Sequence, residues 1–229
     1  MAVEFTASGQ NIAFTPNITI PEEISFAFWY KADSYGFDVL NAIISAYPSD
    51  SSPTASVSLR PSDSSLVFQY AYSVSPFNLG SWKYAGAPIG AWTHVVITYN
   101  NNNVANNPIF YVNGALVSIS EEFAPTSSSP SDTFTNLYFS FDYDGKLQDV
   151  RIYNRILSAS EIATLYNSRC LRVLMNGLVF WAPMWGTNAQ SFDGLTLTSS
   201  HRITDWVNGA VGTPAGSPIG RANTIQSLK

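Results

Sequence analysis

Few side chains in this 229-residue chain could do chemistry. The two histidines are His94 and His201, and Cys170 is the only cysteine. His201 sits in a Ser/Thr-rich stretch with no nucleophile signature beside it. His94 follows Trp92 by two residues in an apolar run, which suits a hydrogen-bonded structural imidazole better than a catalytic base. A lone cysteine permits neither an internal disulfide nor a Cys-rich metal site. Asp142, Asp144 and Asp149 gather around the pair Asp144-Gly145 and offer hard oxygen ligands of the kind calcium takes. A competing reading gives Asp144 to a turn and pairs Asp149 with Arg151 along a strand. Trp82 and Tyr84 point the same way on an extended segment. They could form an aromatic platform for a sugar, or they could belong to an edge strand covering the core. No residue is assigned a catalytic role.

The elements that must position these groups are strands. Period-2 alternation and β-branched or aromatic runs mark Ile12–Phe14, Ile24–Lys31, Asn41–Ala46, Ala55–Arg60, Leu66–Tyr72, Trp92–Tyr99, Ile109–Val112, Ala115–Ile119, Asn136–Tyr143 and Lys146–Asn154. In Ile24–Lys31 the alternation predicts burial mainly on one side, and Trp92 is expected to plug one end of the core. Asn113-Gly114 and Asp144-Gly145 each stand between apolar runs and predict type I′ hairpins. Turn clusters rich in Ser and Pro fall at Tyr47–Thr54 and Ala124–Pro130. One short helix is expected after Ser158, where Ser158 and Glu161 have capping-box spacing and Ile162, Leu165 and Tyr166 share a face. A boundary near Ser168–Leu171 divides residues 1–168 from a C-terminal segment, 169–229, that completes the same sandwich or serves as an assembly arm.

Hydrophobic residues make up 45 % of the chain and charged residues 12 %, about half the usual share of charge. A chain with 14 % aromatics has apolar area to bury and is no disordered tail. Net charge is −5 and the cations are scattered, which argues against nucleic acid as a partner. No apolar run is long enough to span a bilayer as a helix, so no membrane partner is expected. The first residues carry no basic region followed by an apolar stretch. That predicts synthesis in a host cytoplasm and release by lysis, unless a signal has been removed.

Two stretches resemble the laminin-G-like branch of the concanavalin-A-like lectin/glucanase superfamily. The first runs Gly90-Ala91-Trp92-Thr93-His94-Val95-Val96-Ile97-Thr98-Tyr99 and continues at Ile109-Phe110-Tyr111-Val112-Asn113-Gly114. The second is Gly145-Lys146-Leu147-Gln148-Asp149-Val150-Arg151-Ile152-Tyr153-Asn154-Arg155, followed by Leu157-Ser158 and Glu161-Ile162. The resemblance covers roughly residues 1–168 and implies an all-β, antiparallel two-sheet jelly-roll sandwich. It also implies that calcium is possible, although Gln148 stands where the family usually has an acid. The superfamily's glucanases carry a Glu-x-Asp-x-x-Glu strand, and none of the glutamates at 4, 22, 23, 121, 122 and 161 fits that spacing. Farther on, Gly177–Gly186 resembles the opening strand of such a unit, placed after the stretch it normally precedes.

These observations point to a non-enzymatic module without a required cofactor. The favoured expectation is a structural protein of a phage particle, a head-decoration or fibre component displayed on the virion. Its partners would be other virion proteins and copies of itself, with a trimer favoured over a dimer. The alternative is an extracellular carbohydrate-binding, lectin-like module that meets surface glycans.

Overall fold

Alternation in β4 (Glu23–Ala32) sends Ile24, Phe26, Phe28 and Tyr30 to one face and Ala27 and Trp29 to the other. Both faces are buried, which corrects the one-sided expectation for this strand. The reason is a second layer outside the sheet, built by the helix α1 (Ala159–Ser168) and the chain that follows it. The computed structural model describes residues 2–38, 41–47, 55–74, 77–126, 132–168, 171–184, 196–198, 201 and 203–221. Cys170, Trp185 and the Ser/Pro-rich segments 48–54 and 127–130 lie outside the described residues.

Among the described residues two large antiparallel sheets face each other. The first places β4 between β9 (Thr93–Asn100) and β15 (Gly145–Tyr153). Beyond β9 come β10 (Ile109–Val112) and β11 (Ala115–Val117). Beyond β15 come β1 (Ala2–Phe5) and β19 (Ile219–Arg221), with β16 (Leu178–Ala182) also paired to β15. The second sheet opens with β12 (Ser120–Phe123), β8 (Phe77–Ala85), β7 (Ser65–Val74) and β6 (Ala55–Arg60). It continues through β5 (Asn41–Tyr47), β14 (Asn136–Phe141) and β2 (Asn11–Phe14). It ends on β18 (Val211–Ala215) and β17 (Ile203–Thr204). A small ribbon joins β3 (Ile18–Ile20) to β13 (Asp132–Phe134). The strands and the one short helix are what the alternation and the capping spacing predict, and the two-sheet sandwich is what the family resemblance implies.

Apolar side chains from the two inner faces fill the space between the sheets. Phe14 and Phe139 from the second sheet meet Phe180 from β16, with ring centroids 5.2 and 5.8 Å away. At the other end Phe68, Trp82 and Tyr99 pack together. Trp92 sits half-buried just ahead of β9 rather than inside this core. Along one side of β15, β1 pairs with residues Gly145–Leu147 and β16 with Val150–Tyr153. The handover falls at a bulge where Asp149 takes a φ of 53°.

The two Asx-Gly pairs behave differently. Asn113 and Gly114 have φ of 52° and 79° and join β10 to β11 as a tight hairpin. Asp144-Gly145 makes no hairpin, because β14 pairs within the second sheet and β15 within the first. The segment crosses between sheets, and Gly145 is required by close approach: a Cβ there would lie 2.3 Å from the Lys31 carbonyl oxygen. At α1, Glu161 Oε2 accepts from the Ser158 amide at 2.9 Å and Ser158 Oγ accepts from the Glu161 amide at 3.4 Å, the reciprocal cap its spacing predicts. Ile162 and Leu165 are buried against the sheet.

Candidate functional site

The turn after β1 carries Ser8-Gly9-Gln10-Asn11, small and amide-bearing residues between the buried Phe5 and Ile12. Gly9 has a φ of 78° and closes the turn. Gln10 is the anchor: its Oε1 accepts from the Thr6 amide at 2.6 Å and its Nε2 donates to the Ser217 carbonyl at 3.1 Å. The turn is thereby tied both to itself and to the C-terminal segment.

Against this turn lies the end of β14. Leu137 and Phe139 point into the core, and simple alternation would send Phe141 the same way. Ser140 interrupts the alternation with a φ of 68°, Asp142 follows at 58°, and Phe141 ends up 53 % exposed. Left-handed backbone at a non-glycine residue is unfavourable, and two such residues flanking one ring are held only because their surroundings impose it. Asp142 Oδ1 accepts from the Ser8 hydroxyl and from the Gly9 amide at 3.2 Å. The Phe37 amide donates to the Asp142 carbonyl at 3.0 Å, which brings the exposed Phe37 to the same end of the sandwich. Together Ser8, Gly9, Gln10, Asn11, Ser140, Phe141 and Asp142 line an open pocket of about 250 Å³.

The pocket has an apolar ring, a carboxylate, hydroxyls and amides, and its one charged lining residue is acidic. Close by, Ser34 Oγ donates to Asp144 Oδ2 at 2.6 Å. The nearby cation Lys146 is occupied by Glu4 and Asp33, at 2.5 and 2.9 Å. Partial burial works against its charge, but these two carboxylates win and raise its pKa. The arrangement can receive a small neutral molecule with an apolar face and several hydroxyls.

Of the two readings of Trp82 and Tyr84, an exposed platform or a cover for the core, the structure matches the second. Trp82 and Tyr84 do share a face, but it is the inner one: Trp82 is fully buried and Tyr84 is packed against the core. Trp82 Nε1 donates to Asn107 Oδ1 at 2.6 Å. Gly80 makes room for the indole, since a Cβ there would lie 2.2 Å from the ring. β8 is not an edge strand: it pairs with β12 on one side and β7 on the other, and its inner face meets the opposite sheet.

The three aspartates are also separated by the fold. Asp142 serves the pocket turn and Asp144 holds Ser34, whereas Asp149 is buried on the outer face of the first sheet. Its carboxylate accepts from Arg151 Nε at 3.0 Å and from Trp181 Nε1 at 2.7 Å. Among the described residues no three His, Cys, Asp or Glu side chains gather closely enough to hold a metal ion. Burial first, and Arg151 second, push the pKa of His94 down to about 3 and keep it neutral. His201 Nδ1 accepts from the Thr198 amide at 3.0 Å. Of the pocket, only Asp142 is legible in the sequence as a candidate, and for a different chemistry. Phe141 is missed because its exposure depends on the kink at Ser140, and Trp206, another exposed aromatic, because nothing marks its turn except Asp205 ahead of it.

A laminin-G-type family model, described as the concanavalin A-like lectin/glucanases superfamily, matches residues 6–163. No curated protein sequence matches the chain. Among solved structures, a Bacteroides ovatus protein described as carbohydrate binding superposes with a TM-score of 0.61 at 16 % identity, over 96 % of this chain and 59 % of that one. This chain therefore spans little more than half the length of that relative. The native heptameric SAP-like pentraxin from Limulus polyphemus superposes with a TM-score of 0.56 at 13 % identity, over 94 % and 95 %. At these identities the likeness is one of fold.

Proposed function

This chain belongs to the concanavalin A-like lectin/glucanase superfamily, and from that premise we propose that it is a non-enzymatic glycan-binding module. The observation that carries the reading is the pocket in which Phe141 is turned out to solvent beside the Asp142 carboxylate. A sugar ring lays its C–H face on an aromatic ring and offers hydroxyls to groups at the rim, and Asp142, Asn11, Ser8 and the turn backbone supply those groups. The volume of about 250 Å³ falls just below the usual range for drug-sized ligands, which suits one sugar residue at a chain end. The acidic lining favours a neutral sugar over an anionic one. The Bacteroides ovatus neighbour, described as carbohydrate binding, supports the same class.

A glycan array with the intact chain should show retention of neutral glycans without their hydrolysis. Replacing Asp142 with Ala should weaken binding by roughly ten- to a hundredfold, the worth of a hydrogen bond to a charged group. Because Asp142 also clasps the turn, Phe141→Ala is the cleaner variant: it leaves the clasp intact and should still reduce binding about tenfold. Retention of no glycan, or binding unchanged in both variants, contradicts the proposal.

A second reading, a phage decoration or fibre protein that assembles with copies of itself, draws support from the sheet edges. Leu116 on β11 and Phe123 on β12 are 66 % and 62 % exposed, and both strands end their sheets. An apolar edge strand such as β11 is a template for pairing with another chain, whereas β12 offers Phe123 beside Glu121 and Glu122; the pentraxin neighbour is heptameric. Light scattering should then show an assembly that Leu116→Glu with Phe123→Glu dissolves; a strict monomer at high concentration counts against this reading.

A further inference from the structure

His94 is enclosed on the outer face of the first sheet, 2 % exposed, with its ring 5.0 Å from Trp29 and 5.9 Å from Tyr166 of α1. Tyr166 in turn stacks on Trp29 at 5.6 Å with the planes 17° apart. The backbone of His94 is satisfied by Asn113, through its amide to Asn113 Oδ1 at 2.9 Å and its carbonyl from the Asn113 amide at 2.8 Å. Among the described residues its Nδ1 is buried without a hydrogen-bond partner. So are both polar atoms of the Gln148 carboxamide. His94, Trp29 and Gln148 are cross-strand neighbours in one row over β9, β4 and β15. Gln148 is two strands from His94, roughly 9–10 Å, too far to accept from it.

Among the described residues a proton on this imidazole would find no carboxylate free to receive it. From β15 the charged groups are Arg151, itself a cation, Asp149, whose carboxylate is taken by Arg151 and Trp181, and Lys146, a second cation, which holds Glu4 and Asp33. From β4 the next residue on the same face is Lys31, from β10 Tyr111, and from α1 Tyr166. Glu161, the one acid on α1, is at the far end of the helix and bound to Arg155 at 2.7 and 2.9 Å.

We propose that α1 is an acid-released flap: protonation of His94 undocks Tyr166 and the C-terminal turns of the helix, while the first turn stays clamped by Arg155 and Glu161. Release bares the apolar strip of Ala27, Trp29 and Val96 that the helix covers. With the flap closed, burial holds the imidazole at about 3; once opened, it returns to its ordinary 6.5. The proton therefore binds the open form, and closure weakens as pH falls from about 6.5 toward 3. At pH 5 the expected gain of the open form is about thirtyfold. The clamp survives that range, because the Arg155 hydrogen bonds first, and the Ser158 amide second, hold the Glu161 carboxyl down at about 2.

Amide hydrogen exchange on the intact chain at pH 7 and pH 5, corrected for intrinsic rates, tests this. Protection at Leu165–Ser168 should fall about twenty-five-fold between the two pH values relative to β4 and β9, and His94→Phe should abolish the change. If His94→Phe does not fold, His94→Gln, equally without a titrating proton, replaces it. Protection that is unchanged in the wild type, that falls equally in β4 and β9, or that falls in the His94 variant overturns the proposal.

Discussion

A chain ended after Ser168 should be insoluble or melt far below the intact protein. The missing residues include β16, which hydrogen-bonds to β15, β18, which pairs with β2, and β19, which pairs with β1. They also include Phe180, which packs against both Phe14 and Phe139. Phe180→Ala alone should cost about 3–5 kcal/mol, a large share of the 5–15 kcal/mol by which a typical domain is stable. Truncation removes that side chain together with Leu178, Trp181, Ala182 and Met184, all buried, and opens the flank of β15 to water. It also removes the Ser217 carbonyl that anchors Gln10, so any folded remnant should have lost the pocket geometry. Thermal melts of both variants decide the matter. A truncated chain as stable as the whole would show that the tail is an appendage.

Asp149→Asn should destabilise the sandwich by about 3–5 kcal/mol, because it leaves a buried guanidinium without its counter-charge. Arg151 is 2 % exposed and donates to Asp149, to the Leu171 carbonyl at 2.7 Å and to the Val173 carbonyl at 3.1 Å. Its guanidinium lies 4.6 Å from the centre of the Trp181 ring. Burial works against the charge of Arg151, and the Asp149 carboxylate outweighs it. Asparagine tolerates the left-handed backbone at this position, so the substitution removes charge without adding strain. Urea melts should show the midpoint falling with the slope unchanged. A midpoint within error of the wild type would mean that the carbonyls and Trp181 alone hold the guanidinium.

Much of the fold is legible because the long strands β4, β9 and β15 have one alternating pattern that only a sheet satisfies. The Ser158–Glu161 cap and the Asn113-Gly114 hairpin are legible because local chemistry alone dictates them. Other features depend on contacts distant in sequence. Asp144-Gly145 has hairpin composition, yet its glycine answers to the approach of Lys31. Trp82 and Tyr84 have the alternation of a platform, but only the partner sheet determines which face is inside. Phe141 continues the buried series of Leu137 and Phe139 until Ser140 adopts positive φ. The pocket is made where the β1–β2 turn, the end of β14 and the tail converge, and no local pattern records that meeting.

The most direct measurement of the central claim is backbone chemical-shift mapping with a neutral glycan retained on the array. The account predicts shifts concentrated at Ser8–Asn11 and Ser140–Asp142, and their loss in Phe141→Ala while the rest of the spectrum is preserved. Shifts centred elsewhere, for instance on the exposed Trp206 turn, or a spectrum unmoved by any glycan, would contradict it.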